Sequence, residues 1–470
     1  MSFWRALLIG AAVVVPAAGS GQQQADVASR VDEVFARWSS PESAGCVVGA
    51  ERDGHTVLSR AYGMADLEHD IPNTPATIFE SGSVSKQFTA AAIVLLVQDG
   101  VLSLDDDVRT YVPELPDYGH TITIRHLLTH TSGLRDWGSV AAIGGWGRDA
   151  RTHTHDHVLD ILSRQRSLNF TPGNEYSYSN SGYNLLAIIV DRTSGMPFAE
   201  FSRTRIFEPL GLDDTQWRDD YTRIVKGRSS AYAMRDGAWV IDRPIENVHG
   251  NGGLLTTTAD LLEWNAALTS GALGGNAFVE MMHERGVLNS GRLIEYASGL
   301  FVTAFDDVPE ISHTGATSGY RAFLARYPDQ RLGIAVLCNA GNVNPGRVGR
   351  SVARIMLGDR AAAATAEPDP VRPPAALPPR PTLTPAALEA LTGEYYSTDA
   401  DATFTVAVDG DRLVLRRRPV TRLVLTPVEK DLFAAGPLGR VRFIRDDSGR
   451  VTQLSVQQAR VHDLRFERVK

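Results

Sequence analysis

A proline-rich stretch in this chain of 470 residues marks a place where two domains are expected to meet. Eight of the chain's 24 prolines lie between Pro368 and Pro385. Because proline fixes its own backbone angle and lacks an amide hydrogen, such a run continues neither a helix nor a central strand and behaves as a semi-rigid spacer. We predict a body over residues 26–358, a linker over residues 359–385 and a separate domain over residues 386–470.

Hydrophobic periodicity predicts a mixed fold for the body. Strand-like runs at residues 46–48 and 332–337 stand on either side of a long middle part with helical periodicity. The clearest helical run covers residues 88–98 and is closed by Gly100. Apolar residues at helical spacing between short β-rich runs favour an α+β or α/β body.

The tail has the alternation of a small antiparallel β domain. Residues 403–408 alternate apolar and polar side chains, turn at Asp409-Gly410 and resume as a strand at residues 413–415. Residues 441–444 and 451–456 flank a second turn in the same way. Two such pairs around Asp-Gly and Ser-Gly turns predict β-hairpins.

The first residues predict export. Arg5 precedes an apolar run at residues 6–18, which is too short to cross about 30 Å of hydrocarbon, and the small residues 17–19 fit a cleavage site. We expect a signal peptide over residues 1–19, no membrane span in the mature chain, and a periplasmic or secreted location. A buried N-terminal helix is the alternative, but the polar residues 21–24 give it no amphipathic continuation.

Charge excludes one class of partner and draws attention to the lysines. The chain has 47 Lys+Arg against 55 Asp+Glu, and no basic run is interleaved with aromatic residues, so we expect no nucleic-acid partner. Only four residues are lysines: Lys86, Lys226, Lys430 and Lys470. A lysine inside a chemical motif is therefore unusual in this chain.

The two cysteines, Cys46 and Cys338, lie in short β-rich apolar runs. They could pair in an oxidising compartment if their Cα atoms came within about 7 Å. Buried free thiols are the alternative, and we favour it because free cysteine is among the most buried residue types.

Ser83-Val84-Ser85-Lys86 places a nucleophile beside a cation. Residues three apart share one face of a helix, so Ser83 and Lys86 would point into the same space at the start of the helical run. A hydroxyl is a poor nucleophile unless a neighbour accepts its proton, which a desolvated lysine of lowered pKa can do. A solvated lysine in a first helical turn is the ordinary alternative.

Two further segments supply partners. Tyr178 and Asn180 lie two residues apart in a segment too polar for a core, where a tyrosine near a lysine can act as general base and an amide can donate and accept. In His313-Thr314-Gly315, the glycine permits close approach of a substrate backbone, and the amide of Ala316 can complete an oxyanion hole.

Two histidine-containing segments have structural explanations. His153-Thr154-His155-Asp156-His157 has ligand types at close spacing, but Thr154 more naturally caps a helix, so we expect no metal there. The histidines of residues 124–133 are interpreted as structural.

Together, these motifs resemble the penicillin-binding and class C-type β-lactamase-like serine hydrolases, which include DD-peptidases, D-aminopeptidases and related esterases. The resemblance covers nearly all of residues 30–358 and includes Gly250-Asn-Gly-Gly-Leu254. It implies an α+β fold in which an antiparallel sheet is flanked by helices, beside an all-helical lobe, with the active site in the cleft between them. The tail resembles the small β-barrel domains that follow some members.

The resemblance also implies the role of each motif residue. Ser83 would be the acylated nucleophile, Lys86 its cationic partner and Tyr178 the base that relays the proton. Asn180 and the strand residues His313, Thr314 and Gly315 would bind substrate, and the backbone amides of Ser83 and Ala316 would form the oxyanion hole. The resemblance implies neither a metal nor an organic cofactor.

One departure concerns the substrate. Class C β-lactamases usually begin the third motif with lysine, whereas this chain has His313. A neutral histidine recognises a carboxylate less strongly, which favours a peptide or ester over a β-lactam. We expect an exported hydrolase of D-amino-acid-containing peptides, with peptidoglycan as one source of such substrates. An esterase or weak β-lactamase, and a penicillin-binding sensor or wall-binding protein that acylates without turnover, stay open, as does the oligomeric state.

Overall fold

A computed structural model describes residues 19–148, 150–358, 383–418 and 421–470. The predicted signal peptide over residues 1–19 lies outside the described residues except for its last position. The predicted linker lies outside them over residues 359–382. The last residue of that linker, Pro385, begins a short helix.

Twelve α-helices are present in the described part of the chain. In order they are α1 Gly19–Phe35, α2 Lys86–Gln98, α3 Ile124–Leu128, α4 Trp137–Ile143, α5 His155–Ser163, α6 Asn180–Ser194, α7 Phe198–Ser202, α8 Glu208–Leu210, α9 Thr258–Ser270, α10 Gly275–His283, α11 Pro345–Leu357 and α12 Pro385–Glu389. Thr154 caps α5 by accepting from the His157 amide, as expected from the sequence. None of these helices is long and apolar enough to cross a membrane, in the ranges described.

The body contains thirteen strands within its described residues. They are β1 Cys46–Arg52, β2 His55–Tyr62, β3 Met64–Asp66, β4 Ile71–Pro72, β5 Phe79–Glu80, β6 Gln216–Trp217, β7 Tyr232–Arg235, β8 Ala238–Ile241, β9 Leu254–Thr256, β10 Phe301–Phe305, β11 Val308–Thr317, β12 Tyr320–Tyr327 and β13 Leu332–Cys338. Six of them form the main antiparallel sheet, in the order β10-β11-β12-β13-β1-β2.

The main sheet is covered on both faces. Ile334, Val336 and Cys338 of β13 pack on one face with residues of α1 and α11. The alternate residues Ala335 and Leu337 pack on the opposite face, which α9 covers. Period-two alternation therefore buries every residue of this central strand, and its near-continuous apolar sequence follows from that position.

Cys46 and Cys338 form a disulfide, so our expectation of two free thiols was wrong. The two residues are direct cross-strand partners of β1 and β13, and their Cα atoms are 4.0 Å apart. Pairing register brings them together across 292 residues of sequence. Sequence alone did not reveal the register, and burial preference was the wrong criterion.

Helix α2 connects the sheet to the helical lobe. Its residues from Lys86 to Leu96 are all buried, because α6, α7 and α10 pack around it. A four-residue 3-10 turn at Gly82–Ser85 precedes it and carries Ser83. The nucleophile candidate therefore lies at the boundary between the sheet and the lobe.

The tail is a closed eight-stranded antiparallel barrel, in agreement with the expected small β domain. Its strands are β14 Gly393–Ser397, β15 Ala402–Asp409, β16 Arg412–Arg417, β17 Thr421–Glu429, β18 Leu432–Ala434, β19 Arg440–Arg445, β20 Val451–Gln458 and β21 Val461–Arg468. Phe404 stacks on Phe466 inside the barrel, so aromatic side chains fill the interior.

The barrel docks on the helical lobe through buried charges. Arg135 of the lobe donates to the carboxylate of Asp399, at 2.8 Å, and to the carbonyl oxygen of Asp463, at 2.9 Å. Arg166 contacts the other oxygen of Asp399. Because Arg135 and Asp399 are almost fully buried and paired with each other, this contact fixes where the barrel lies on the body.

Candidate active site

Ser83 and Lys86 meet as their spacing predicts. Lys86 Nζ donates to Ser83 Oγ at 3.2 Å and to Asn180 Oδ1 at 3.0 Å. Its shortest hydrogen bond, 2.6 Å, goes to the carbonyl oxygen of Asn251. Three acceptors without formal charge therefore fix the ammonium group beside the serine.

Lys86 is completely buried, and this changes its proton affinity. Burial, together with the nearby guanidinium groups of Arg460 and Arg148, lowers the pKa of Lys86 well below its ordinary value, whereas Asp136 acts in the opposite direction. A lysine whose neutral form is accessible can accept a proton from a hydroxyl. The geometry and the charge distribution both suit a base beside Ser83.

Tyr178 lies on the other side of the same space. The lysine Nζ is 4.9 Å from the centre of its ring. Burial raises the pKa of Tyr178, while Ser83 and Arg460 lower it. Its hydroxyl faces Ser83 but has no partner of regular hydrogen-bond geometry in the described part of the chain. A buried hydroxyl without a partner is free to exchange a proton with substrate or with Ser83.

His130 forms the wall behind Tyr178. Its Nδ1 accepts from the Ser179 amide at 3.2 Å, and its carbonyl oxygen accepts from the Ser177 amide. The ring centres of His130 and Tyr178 are 4.2 Å apart. Burial lowers the pKa of His130 well below its ordinary value, so a neutral ring packs in this wall. This agrees with a structural role for the histidine.

His313 lies in the cleft, but both of its ring nitrogens already have partners. Nδ1 donates to the carbonyl oxygen of Thr314 at 2.6 Å, which leaves Nε2 to accept from the Tyr296 hydroxyl at 3.1 Å. Burial and Lys86 lower the pKa of His313 to about 3. A neutral imidazole whose two nitrogens already have hydrogen-bond partners contributes little to binding an acidic group.

Gly315 is required by a neighbour within the chain. A Cβ at this position would lie 1.9 Å from the carbonyl oxygen of Ser81. At Gly82, the residue after Ser81, a Cβ would lie 2.6 Å from the Ala316 nitrogen, and the φ of Gly82 is 52°. The close approach expected at Gly315 is thus with the Ser81–Ser83 segment, and it brings the backbone of Ala316 beside Ser83.

The predicted site residues except the fully buried Lys86 line one cleft of about 750 Å³. Among the described lining residues are Ser83, Tyr178, Asn180, His313, Thr314, Gly315 and Ala316. The ionised side chains among them belong to Arg148, Arg321 and Arg460, and no lining residue in the described ranges is acidic. The cleft therefore has a positive electrostatic character.

Sequence reasoning missed two residues of this cleft, Asn251 and Arg460, and also Tyr296, which bonds to the cleft residue His313. Asn251 lies in the Gly250–Leu254 segment, which resembles the family. It contacts Lys86 through its backbone carbonyl oxygen, so the identity of its side chain does not reveal the contact. The Tyr296 hydroxyl donates to His313 Nε2, and Tyr296 does not lie in a recognisable motif. Arg460 comes from the barrel, so no local pattern in the body could have revealed it.

The histidines of the segment at residues 153–157 lie outside this cleft. His153 Nε2 bonds to the Trp146 carbonyl oxygen, and His155 Nε2 bonds to the His249 backbone. Trp137 is fully buried, with its indole NH donated to Asn184. Trp146 is partly exposed and lines a separate cavity against the barrel.

Comparison with known proteins gives two family matches. Residues 31–356 match the family described as Beta-lactamase, and residues 377–468 match a domain of unknown function, DUF3471. The chain is 31% identical over 312 residues to Penicillin-binding protein 4* of Bacillus subtilis (strain 168), which covers 63% of this chain and 68% of that protein. It is 28% identical over 297 residues to a D-aminopeptidase of Cereibacter sphaeroides, which covers 63% of this chain and 56% of that protein.

Two solved structures share the fold. The octameric penicillin-binding protein homologue from Pyrococcus abyssi has a TM-score of 0.63 at 23% identity, covering 95% of this chain and 99% of that chain. The D-amino acid amidase from Ochrobactrum anthropi SV3, complexed with L-phenylalanine amide, has a TM-score of 0.60 at 23% identity, covering 73% of this chain and 100% of that chain. At these identities the two matches concern the fold alone.

Proposed function

This chain belongs to the Beta-lactamase family and is a serine hydrolase, and we propose that it cleaves amide or ester bonds through an acyl-enzyme on Ser83, with D-amino-acid-containing peptides as substrates. The observation that carries this proposal is the contact of Ser83 Oγ with a fully buried lysine, in a cleft that Tyr178 also lines.

Acylation begins with attack of Ser83 Oγ on the substrate carbonyl carbon. The hydroxyl proton passes to Tyr178 or Lys86, both of which adjoin Ser83. The backbone amides of Ser83 and Ala316 are the proposed donors to the oxygen on which negative charge develops. Asn180 keeps Lys86 in place and presents its amide group to the cleft.

Collapse of the tetrahedral intermediate breaks the bond to the leaving group, which takes up the proton that Ser83 gave. Water then attacks the acyl carbonyl and loses a proton to the same base, and Ser83 leaves with that proton. In each half-reaction the base gives up the proton that it accepted, so Ser83, Lys86 and Tyr178 end in their starting protonation states. The sequence of steps requires no group beyond these side chains and water.

Two observations support a peptide or ester rather than a β-lactam. The third motif begins with a neutral His313 whose nitrogens are occupied, so it offers no cation to a β-lactam carboxylate. The relatives include a protein named D-aminopeptidase. An esterase or weak β-lactamase is the alternative within the same chemistry.

Export is a further part of the proposal. The apolar run at residues 6–18 has the features of a signal peptide. The Cys46–Cys338 disulfide supports an oxidising compartment such as the periplasm or the exterior, because structural disulfides are rare in the cytosol.

The test is a mass measurement on the intact protein after addition of a β-lactam or a fluorophosphonate probe. We expect an adduct on Ser83 and none on Ser83→Ala. An equal adduct on Ser83→Ala, or none on the wild type with either probe, would contradict the assignment. An acyl group that persists for hours with every ester and peptide tried would instead favour a penicillin-binding sensor.

A further inference from the structure

One cation in the catalytic cleft comes from the C-terminal barrel. Arg460 lies in the tight turn between β20 and β21. Its carbonyl oxygen accepts from the Asp136 amide at 3.3 Å and from Asn169 Nδ2 at 3.1 Å. The His462 amide donates to Asn169 Oδ1 at 2.9 Å. Backbone contacts on both sides of the turn therefore hold Arg460 in place, independent of its side chain.

The guanidinium group of Arg460 faces the reacting residues. Its central carbon is 4.9 Å from the centre of the Tyr178 ring. Its nearest carboxylate oxygen belongs to Asp136, at 3.9 Å, and that carboxylate already accepts from the amides of Asn180 and Ser139. The Arg460 side chain is 42% exposed and makes no hydrogen bond within the described part of the chain. Its five donors are thus available to a ligand.

The other two arginines of the cleft are already engaged. Arg148 forms a two-pronged ion pair with the buried carboxylate of Glu246. Arg321 donates to the carbonyl oxygens of Ser318 and Tyr320 at 2.6 and 2.7 Å. Among the residues described, Arg460 is therefore the cleft arginine whose side chain makes no hydrogen bond, whereas Arg148 and Arg321 are each held by bonds within the chain.

We propose that Arg460 binds a carboxylate group of the substrate next to Ser83, so that the barrel supplies a specificity-determining residue of the active site. This inference rests on the hydrolase function proposed above and names its substrate class. A planar guanidinium binds a carboxylate through two parallel hydrogen bonds, which a neutral amide or ester cannot match. A cleft without a lining acid in its described residues offers no lining carboxylate to a substrate ammonium. Acyl donors that carry an acid group are consequently preferred over those that carry a free amine.

An influence of Arg460 on Tyr178 alone is the alternative explanation. In that case, loss of the guanidinium would slow acidic and neutral substrates equally. The two explanations differ in the ratio of rates for matched substrates, and that ratio is the quantity to measure.

The experiment uses two matched pairs of substrates with the full-length protein. In the first pair, para-nitrophenyl hydrogen glutarate and its methyl ester, the acid lies in the acyl group. In the second pair, N-acetyl-D-alanyl-D-alanine and its C-terminal amide, the acid lies in the leaving group. The wild type, R460A, R460K and R465A are compared by kcat/KM, each at its own optimal pH. Arg465 is the control because it lies on the same hairpin with 41% exposure and pairs with Asp463 away from the cleft.

We expect R460A to lose about 10- to 100-fold in kcat/KM for the acidic member of at least one pair, as charge-assisted hydrogen bonds predict, and much less for its neutral twin. R460K should recover part of the selectivity, and R465A should keep the wild-type ratio.

Equal losses for both members, no loss for either, or a wild type without preference for the acidic member would overturn the inference. Failure of the proposed function is recognised separately, by the absence of a Ser83 adduct in the mass measurement.

Discussion

Lys86 Nζ lies closer to the backbone carbonyl oxygen of Asn251, at 2.6 Å, than to Ser83 Oγ, at 3.2 Å. The lysine is thus anchored by a peptide group rather than a carboxylate, and full burial without an ion-pair partner disfavours its charge. We predict that Lys86→Arg and Lys86→Met each lower the rate of Ser83 acylation by about 10²- to 10⁴-fold, because arginine cannot release its proton and methionine has none to exchange. Burst kinetics with a para-nitrophenyl ester measure this rate. A variant with wild-type acylation would exclude the lysine from proton transfer.

Tyr178→Phe separates catalysis from stability. Because the Tyr178 hydroxyl has no regular hydrogen-bond partner in the described ranges, its loss should leave the free energy of unfolding almost unchanged while kcat falls about 10²- to 10⁴-fold. Tyr183→Phe is the matched comparison: this hydroxyl donates to the Leu128 carbonyl oxygen, so its removal should cost about 1 kcal/mol of stability. Urea unfolding and steady-state kinetics on both variants give the two quantities. Full activity in Tyr178→Phe would leave Lys86 as the base.

Arg460→Ala should move the pH profile of activity. The positive charge of Arg460 lowers the pKa of both Lys86 and Tyr178. Its removal raises both values, so deprotonation of either base requires a more alkaline solution. We expect the acidic limb of kcat/KM for a neutral ester to shift to higher pH in Arg460→Ala and to stay in place in Arg465→Ala. A shift to lower pH, or none, would show that neither group controls this limb.

Replacing both cysteines should destabilise the body without disturbing the cleft. The Cys46–Cys338 bond closes a loop with a sequence separation of 292, and native disulfides commonly stabilise by about 2–5 kcal/mol. Both residues pack on the sheet face covered by α1 and α11, whereas α9 covers the opposite face and α2 packs against α9. Cys46→Ala/Cys338→Ala should therefore unfold at lower urea concentration but retain kcat at 25 °C. The wild type in a reducing agent should behave like the double variant.

Glu51 lies away from the cleft and makes the stability of the fold depend on pH. Burial, with a smaller effect from Glu263, raises the pKa of Glu51 from 4.5 to about 7. Because folding raises the pKa of Glu51, the stability that its protonated form contributes is fully present below pH 4.5. This stability is lost as the pH rises through 7. Glu51→Gln should stabilise the fold at pH 8 by about 1–2 kcal/mol, a value reduced for partial exposure, and much less at pH 5. Equal effects at the two pH values in urea unfolding would contradict this.

Residues within a local motif were predictable from sequence. Ser83 and Lys86 owe their proximity to helical spacing, and Tyr178 and Asn180 are two residues apart on the approach to α6. Likewise, the turns at Asp409-Gly410 and Asp446–Gly449 predicted the hairpins of the tail, because their backbone angles require such residues.

Relationships between distant segments were not predictable in the same way. Pairing of Cys46 with Cys338 depends on the register of β1 against β13, which an apolar run does not specify. The entry of Arg460 into the cleft depends on how the barrel docks, and that is set by Arg135 and Asp399. The hydrogen bond between the Tyr296 hydroxyl and His313 Nε2 likewise depends on tertiary packing.

The position of β1 beside β13 also has a consequence for synthesis of the chain. The ribosome releases β1 and β2 early, yet the strand that completes their sheet emerges about 292 residues later. At about 5–20 residues per second, this delay lasts roughly 15–60 s. Throughout it, the edge of the nascent hairpin has no native neighbour and is open to improper pairing. The body of this hydrolase thus completes its main sheet only when its last strand has been made.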